Sequence, residues 1–139
     1  MSDETPASNA AYDWSKFDSE AYFQHYYGDP HPDDDHVVRL TVEAFKALPA
    51  PIERSIDIGT GPNLFPLFSV MPRAASLTAW EYAESNVAWL KRELDSTTLR
   101  PQWRHWWGVA RAAYGEGYDL PDNPIPTLKQ RTDVRQGSI

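Results

Sequence analysis

The chain has 139 residues, a formal net charge of −7 and no cysteine. This is enough material for one domain with a hydrophobic core, and the negative charge argues against binding nucleic acid through a basic surface. Because the sequence has neither a signal-peptide pattern nor an apolar run near the ~20 residues of a membrane span, we expect a cytoplasmic protein without disulfides or a thiol nucleophile.

The N-terminal part predicts a leader followed by an aromatic helix. Residues 1–12 are polar, which predicts disorder, and residues 13–139 then form a single domain. Asp18 or Ser19 can cap a short helix. The aromatic side chains of this helix are Tyr22, Phe23, Tyr26 and Tyr27. The helix is either a lid that closes over a ligand or part of the permanent core.

A second helix is predicted after the Gly28–Pro32 break. Three aspartates, residues 33–35, place negative charge at its start, which the helix dipole favours. Apolar residues then recur at helical spacing, namely Val38, Val42, Phe45 and Leu48. Pro49 ends the run. The acidic start followed by His36 is explained by capping more simply than by metal binding, and we predict no metal site.

A strand, a glycine turn and a second strand are predicted in the middle of the chain. The apolar run Ser55–Ile58 forms the first strand, and Gly59–Gly61 follows it. Pro62 suits the first turn of a helix that continues to about Val70. Leu77–Tyr82 forms the second strand.

The second half of the chain predicts a helix, a long insert and a third strand. The helix starts at Glu84 or Ser85. Residues 95–131 are longer than the two to six residues of an ordinary connection, and they include an amphipathic helix. Its apolar positions are Trp103, Trp106 or Trp107, Ala110 and Tyr114. The insert is either a structural cap or a wall of a substrate site. Asp133–Gln136 predicts the third strand.

This alternation of strands and helices predicts an α/β fold with a parallel sheet. We expect about three strands, arranged as the N-terminal half of a Rossmann-like doubly wound sheet, with N-terminal helices and a Trp-rich helical insert. Such sheets normally have five or more strands. We therefore expect the chain to be the N-terminal portion of a longer design. The first strand would then have an open edge, which predicts self-association or a partner chain.

The glycine turn and an acid at the next strand end predict a nucleotide-type site. Gly59 and Gly61 allow close approach to a ligand, and Glu81 follows Gly59 by 22 residues, where a carboxylate can hold a ribose. Leu64 replaces the third glycine of the dinucleotide fingerprint, so S-adenosylmethionine (SAM) fits better than a dinucleotide. The alternatives are a tight turn without a ligand and a solvated strand end.

Three motifs in this order resemble one enzyme family. They are Phe17–Tyr22 with the tyrosines that follow it, Ile56–Phe65, and Trp80–Asn86. Their order and spacing are similar to the nicotinamide, phenylethanolamine and indolethylamine N-methyltransferase family, a branch of the class I SAM-dependent methyltransferases. The likeness covers residues 14–95 and, more loosely, the chain to 139. It is closest to the actinobacterial-type members, in which a Trp-rich segment follows the third helix.

The resemblance implies a set of cofactor-binding residues. They are Tyr22, Tyr27, Gly59, Thr60, Gly61, Phe65, Glu81, Asn86, Ser138 and Ile139. Tyr22 and Tyr27 would close over the methionine part of SAM, the glycine turn would line it, and Glu81 would hold the ribose.

At three of these positions the chain departs from the family pattern. Phe65 replaces a common tyrosine and lacks its hydroxyl. Glu81 replaces the more usual aspartate but keeps the carboxylate. Ser138 replaces an aspartate beside the adenine and has no charge, and Ile139 supplies the apolar residue that follows. No catalytic acid or base is assigned, because an amine that arrives neutral needs none.

The sequence therefore predicts a fragment of a SAM-dependent methyltransferase that acts on a small-molecule amine. One alternative is a non-catalytic, SAM-binding or partner-dependent remnant of such an enzyme. Another is the nucleotide-binding fragment of an NAD-dependent dehydrogenase. We expect the partners to be a small-molecule methyl acceptor and, at the open sheet edge, another chain. We expect neither nucleic acid nor a membrane as a partner.

Overall fold

The computed structural model describes residues 11–138, so that Ile139 and most of the predicted leader lie outside the described residues. The helices are α1 (Ser19–Tyr27), α2 (Pro32–Lys46), α3 (Phe65–Val70), α4 (Glu84–Asp95), α5 (Pro101–Tyr114) and α6 (Ile125–Arg131). The strands are β1 (Ile52–Ile58), β2 (Ala74–Glu81) and β3 (Thr132–Gln136), and single 3-10 turns lie at Trp14–Lys16 and Met71–Arg73. Among the helices of this range, none combines the length and the apolar character needed to cross a membrane.

The strands form one parallel sheet in the order β1–β2–β3. Ile56 lies opposite Thr78, and Thr78 lies opposite Asp133. Both connections, from β1 to β2 and from β2 to β3, advance in the same direction across the sheet. Right-handed crossovers of this kind place their helices on the same face of a sheet. The alternation along β2 agrees, since Leu77 is buried and Ser76 is exposed. The predicted α/β fold with three parallel strands is confirmed.

The core lies between the covered face of the sheet and the helices, and tryptophans of α5 fill much of it. Trp103, Trp106 and Trp107 are almost completely buried. Phe23 of α1 is also buried, and its ring centroid lies 5.1 Å from that of Trp103. The predicted amphipathic helix of the insert is therefore confirmed, and its apolar face is part of the core.

Two helices begin at other residues than predicted. The helix after the glycine turn begins at Phe65 rather than Pro62. The Asn63 side chain accepts a hydrogen bond from the Phe65 N–H at 3.0 Å, a turn that Asn favours and that keeps the residues after Gly61 out of the helix. The helix α2 begins before the three aspartates. Its cap is His31, whose Nδ1 accepts from the Asp33 N–H at 3.1 Å.

The strand ends also differ from the prediction. Both β1 and β2 begin three residues earlier than expected. In β1 the added residues include Glu53 and Arg54, whose charges are typical of a loop. Both side chains are exposed at the sheet edge, so the strand can include them without burying a charge. The third strand begins one residue earlier than expected, at Thr132, and ends at Gln136 as predicted, so that Ser138 lies two residues beyond it.

Candidate functional site

A cavity of about 360 Å³ lies at the C-terminal ends of β1 and β2. Parallel strands present their carboxyl ends at one edge of the sheet, which is where ligands of open α/β sheets bind. Seven of the predicted cofactor-binding residues line this cavity, and they come from α1, the glycine turn and the β2–α4 connection. They are Tyr22, Tyr27, Gly59, Thr60, Gly61, Glu81 and Asn86.

The glycine turn requires glycine at two positions. Gly59 and Gly61 have φ angles of 72° and 63°, a region that side chains with a Cβ rarely adopt. The Gly59 N–H donates to the Trp80 carbonyl at 2.7 Å, which fixes the turn against β2. A Cβ built at either glycine meets no atom within 4 Å. The turn therefore leaves open space beside its backbone for a ligand.

Glu81 connects the glycine turn to the start of α4. Its side chain is buried at 7% exposure. Oε2 accepts a hydrogen bond from the Gly61 N–H at 2.6 Å, and Oε1 accepts from the Ala83 N–H at 3.0 Å and from Asn86 Nδ2 at 3.4 Å. A carboxylate offers about four lone-pair sites, so Glu81 keeps acceptor capacity for the hydroxyls of a ligand.

Asn86 also joins the site to α1. Its Oδ1 accepts a hydrogen bond from the Ser19 hydroxyl at 2.7 Å, and both side chains are buried. Asn86 therefore contacts Glu81 with one end of its amide and α1 with the other. This contact fixes the helix that carries Tyr22 and Tyr27 relative to the end of β2.

Aromatic rings form one wall of the cavity. The Tyr22 ring centroid lies 5.4 Å from that of Phe17 and 6.3 Å from that of Tyr27. Burial raises the pKa of Tyr27 above its ordinary value. The rings give the cavity an aromatic wall that can exclude water from a bound ligand.

Four residues that line the cavity were not among the predicted site residues. They are Trp14, Phe17, Pro62 and Asn63. Phe17 and Asn63 belong to motifs that the sequence already singled out, so their position in those motifs was the available signal. Trp14 had no comparable signal, because its place depends on how the 3-10 turn Trp14–Lys16 folds against α4, where the Ser85 hydroxyl donates to the Trp14 carbonyl at 3.1 Å.

Of the predicted site residues that the structure describes, two do not line the cavity. Phe65 is buried behind it, with its ring centroid 5.8 Å from that of Tyr27 and 5.0 Å from that of Trp106. Ser138 is exposed beyond the end of β3, and Ile139 lies outside the described residues. Phe65 therefore packs behind the aromatic wall, between Tyr27 and Trp106.

Asp57 is a further acid next to the turn that sequence reasoning did not select. Its Oδ2 atom is buried and has no hydrogen-bond partner among the described residues. Burial raises the pKa of this carboxyl, and the nearby charge of Glu81 adds to the effect. The available signal was an acid in the middle of an apolar strand, two residues before the first glycine.

A larger groove, of about 510 Å³, lies between α1, α4 and the start of α5. Its main charged groups are already paired. The Arg100 guanidinium donates two hydrogen bonds to Glu20, at 2.7 and 2.9 Å, and contacts the buried Glu93 carboxylate. These hydrogen bonds lower the pKa of Glu20 to about 2. We therefore assign the groove to the structure that holds α1, and the smaller cavity to ligand binding.

This pairing also bears on whether α1 is a mobile lid. Arg100 lies 4.9 Å from the ring centroid of Phe23 and 5.6 Å from that of Trp89, within range of cation–π attraction. Trp89 Nε1 donates to Glu20 Oε2 at 2.7 Å. One side of α1 is therefore fixed by charge and by aromatic packing. This arrangement favours the permanent core over the lid.

The histidines lie away from the cavity. His31 caps α2, and His105 Nε2 lies 2.7 Å from Asp35 Oδ1 on the surface of the helical layer. Residues 11–138 contain no group of three or more His, Asp or Glu side chains that could hold a metal ion.

Comparison with known protein families identifies a family for this chain. A sequence model described as the NNMT/PNMT/TEMT family matches residues 6–130. A search of curated proteins finds no match.

Proposed function

The chain belongs to the NNMT/PNMT/TEMT family, and we propose that it binds SAM as part of a methyltransferase for a small-molecule amine. Membership of this family indicates a methyltransferase, and the family is a class I family that generally uses SAM. The identity of the cofactor, the amine acceptor and the cytoplasmic location belong to the proposal.

The observation that carries the proposal is the hydrogen bond between Glu81 and the Gly61 N–H at the mouth of the aromatic cavity. It brings together the two halves of the sequence pattern, the glycine turn and the strand-end acid. The cavity volume of about 360 Å³ lies in the usual range of small-molecule sites. The open space beside both glycines supports the fit of a cofactor that lies against the turn.

In this proposal the lining residues bind and orient the cofactor. Glu81 accepts hydrogen bonds from the ribose hydroxyls while Gly59–Gly61 lies along the methionine part. Asn86 orients Glu81, and Tyr22 and Tyr27 cover the methionine part and exclude water. Ser138 and Ile139 remain proposed contacts of the adenine.

When bound, SAM supplies an activated methyl group that an amine can take directly. The protein then contributes mainly orientation and the exclusion of water. This division of work agrees with the lining of the cavity, in which Glu81 is the one carboxylate among the described residues. No side chain is proposed as a general base, because a neutral amine needs none to attack.

The dehydrogenase alternative has less support. A dinucleotide brings a doubly charged pyrophosphate, and the described residues that line the cavity include no lysine or arginine. Leu64, at the third glycine position, is completely buried and fills the place where the helix would have to approach closely. The non-catalytic alternative, a SAM-binding remnant, shares the same site and differs only in turnover.

Calorimetric titration tests the proposed binding. We expect SAM and S-adenosylhomocysteine to bind the wild-type chain, and NAD not to bind. Glu81→Gln should weaken binding by about 10-fold or more, because it removes charged hydrogen bonds to the ribose. The matched control is Glu84→Gln, an exposed acid at the first residue of α4, which should leave affinity unchanged.

The same titration can contradict the proposal. Equal affinity of a folded Glu81→Gln variant would remove the acid from the site, and tight binding of NAD alone would favour the dehydrogenase reading. If SAM binds, incubation with a panel of small aromatic and aliphatic amines separates the enzyme from the remnant, since only the enzyme releases S-adenosylhomocysteine.

A further inference from the structure

Ser19, the first residue of α1, has a buried hydroxyl that does not cap the helix. The cap of α1 is Asp18, whose Oδ1 accepts a hydrogen bond from the Ala21 N–H at 3.0 Å. Serine is mostly exposed in proteins, yet Ser19 is only 5% exposed. Its hydroxyl donates to Asn86 Oδ1 at 2.7 Å, and Asn86 in turn contacts Glu81. Ser19 is therefore connected to the candidate site, although it does not line the cavity.

The hydrogen bonds from Ser19 to Glu81 have one possible direction. A carboxylate accepts hydrogen bonds and cannot donate them, so the Asn86 amide turns its Nδ2 toward Glu81 Oε1, at 3.4 Å. The amide oxygen then faces Ser19, and the serine hydroxyl has to donate to it. Because all three residues are at most 7% exposed, water has little access to replace any of these hydrogen bonds.

The position of the Glu81 carboxylate is thus set from two sides. The Gly61 N–H holds Oε2. The Ala83 N–H holds Oε1, and so does the chain of hydrogen bonds that begins at Ser19 and passes through Asn86. Hydrogen bonds in such a chain polarise and strengthen one another. Without the Ser19 hydroxyl, the buried Asn86 oxygen loses its donor, which is unfavourable. The amide is then free to rotate toward another donor, which weakens its hydrogen bond to Glu81.

We propose that Ser19 is a positioning residue for the ribose of the cofactor, and that it acts through Asn86 on the Glu81 carboxylate. This inference rests on the proposed function, in which Glu81 accepts hydrogen bonds from the ribose hydroxyls. A carboxylate held in one orientation favours a ligand with both hydroxyls over a ligand that lacks one, because a missing hydroxyl leaves a buried acceptor unpaired. Ser19 therefore increases the selectivity of the site for ribose over 2′-deoxyribose.

The ratio of two dissociation constants tests this role. Calorimetric titration uses S-adenosylhomocysteine and its 2′-deoxyribose analogue. We expect the wild-type chain to bind S-adenosylhomocysteine about 10-fold more tightly than the analogue, and Ser19→Ala to reduce this ratio to about 3-fold or less. A serine that only attached α1 to α4 would instead change both dissociation constants by the same factor. A ratio that keeps its wild-type value in Ser19→Ala would overturn the inference.

Two further variants separate the hydroxyl from its packing. Ser19→Cys fills nearly the same space with a weak donor, so it should reduce the ratio as Ser19→Ala does. Ser69→Ala removes another buried serine hydroxyl, which donates to the Phe65 carbonyl within α3 at 2.8 Å, and it should keep the wild-type ratio. Circular dichroism verifies that each variant is folded. A wild-type ratio in Ser19→Cys, or a reduced ratio in Ser69→Ala, would contradict a specific role of the Ser19 hydroxyl.

The path through Asn86 has a test of its own. In an Asn86→Ala background, Ser19→Ala should leave the ratio unchanged, because the amide that connects the hydroxyl to Glu81 is gone. A further reduction in the double variant would contradict this path. Equal binding of both ligands by the wild-type chain would contradict ribose recognition by Glu81 and the role of Ser19 with it. Failure of the wild-type chain to bind S-adenosylhomocysteine would instead contradict the proposed function.

Discussion

The two faces of the sheet differ in what covers them, although the strands offer apolar side chains to both. On the helical face, Leu77 and Ala79 are buried beneath helices whose tryptophans are buried in turn. On the other face, Ile56 and Ile58 are more than half exposed. The apolar residues of a strand therefore indicate that its side chains tend to be buried, but they do not indicate which face of the sheet the helices cover. The direction in which the crossovers advance decides that.

The largest expected effect separates the two faces by core truncation. Trp106→Ala should lower the free energy of unfolding by about 3–5 kcal/mol, because it opens a cavity in a close-packed core. Ile58→Ala, on the exposed face of the sheet, should change it by less than about 0.5 kcal/mol. Urea unfolding measures both. A large loss in Ile58→Ala would mean that this face of the sheet is covered.

The next effect concerns the charges that hold α1 against α4 and the start of α5. Arg100→Ala leaves the buried Glu93 without its cation and should cost about 2–3 kcal/mol. The matched control is Lys129→Ala, which breaks the exposed ion pair with Asp95 and should cost less than about 1 kcal/mol. Similar losses in the two variants would show that the Arg100 contacts add no more than a surface pair does.

The glycine turn sharpens the comparison on the cavity side. Gly61→Ala should cost about 1–2 kcal/mol, because its φ of 63° is unfavourable for alanine although a Cβ meets no atom within 4 Å. Gly108→Ala, on the exposed side of α5, should instead stabilise the chain by about 0.5–1 kcal/mol. Both changes add one methyl group in open space. A shared sign for the two variants would contradict the assigned turn geometry.

The smallest expected effects are changes in the pH dependence of stability at two acids, Glu20 and Asp57, and they have opposite signs. The pKa of Glu20 is lowered from 4.5 to about 2 in the folded state, so its contribution is present above pH 4.5 and is lost as the pH falls toward 2. Glu20→Gln should therefore flatten the loss of stability in acid. It should not alter the slope near neutral pH.

The pKa of Asp57 is raised above 3.8, so the folded state holds a proton more tightly than the unfolded chain and stability falls as the pH rises from there. Asp57→Asn should remove this fall and stabilise the unliganded chain at neutral pH. Urea midpoints measured from pH 3 to pH 7 test both acids. A less stable Asp57→Asn at neutral pH would show that the charged form is the one the fold favours.

Much of the fold could be predicted because its signals are local. The apolar stripe of α4 (Val87, Leu90 and Leu94) and the tryptophans of α5 predict helices that the structure contains. The helix starts were less predictable, since they depend on side-chain hydrogen bonds that Asn63 and His31 accept from the backbone two residues on.

The candidate site was predictable to the extent that it follows the strand ends. The glycine turn and Glu81 come together because parallel strands end at one edge, which spacing alone predicts. The place of Phe65 behind the cavity was not predictable in this way, because it depends on where α3 begins and on the packing of Trp106. The contact between Asn86 and Ser19 joins residues 67 positions apart, and no local pattern reports it.

The central claim is that the cavity beside Gly59, Gly61 and Glu81 binds SAM, and backbone amide NMR shifts test it most directly. On titration with S-adenosylhomocysteine, the amide signals of Gly59, Gly61 and Ala83 should move, since these groups form the turn and the hydrogen bonds of Glu81. Signals of residues in the Arg100 groove should not move. Shifts that cluster at Arg92 and Arg100, or no shifts at all, would contradict the assignment of the cavity.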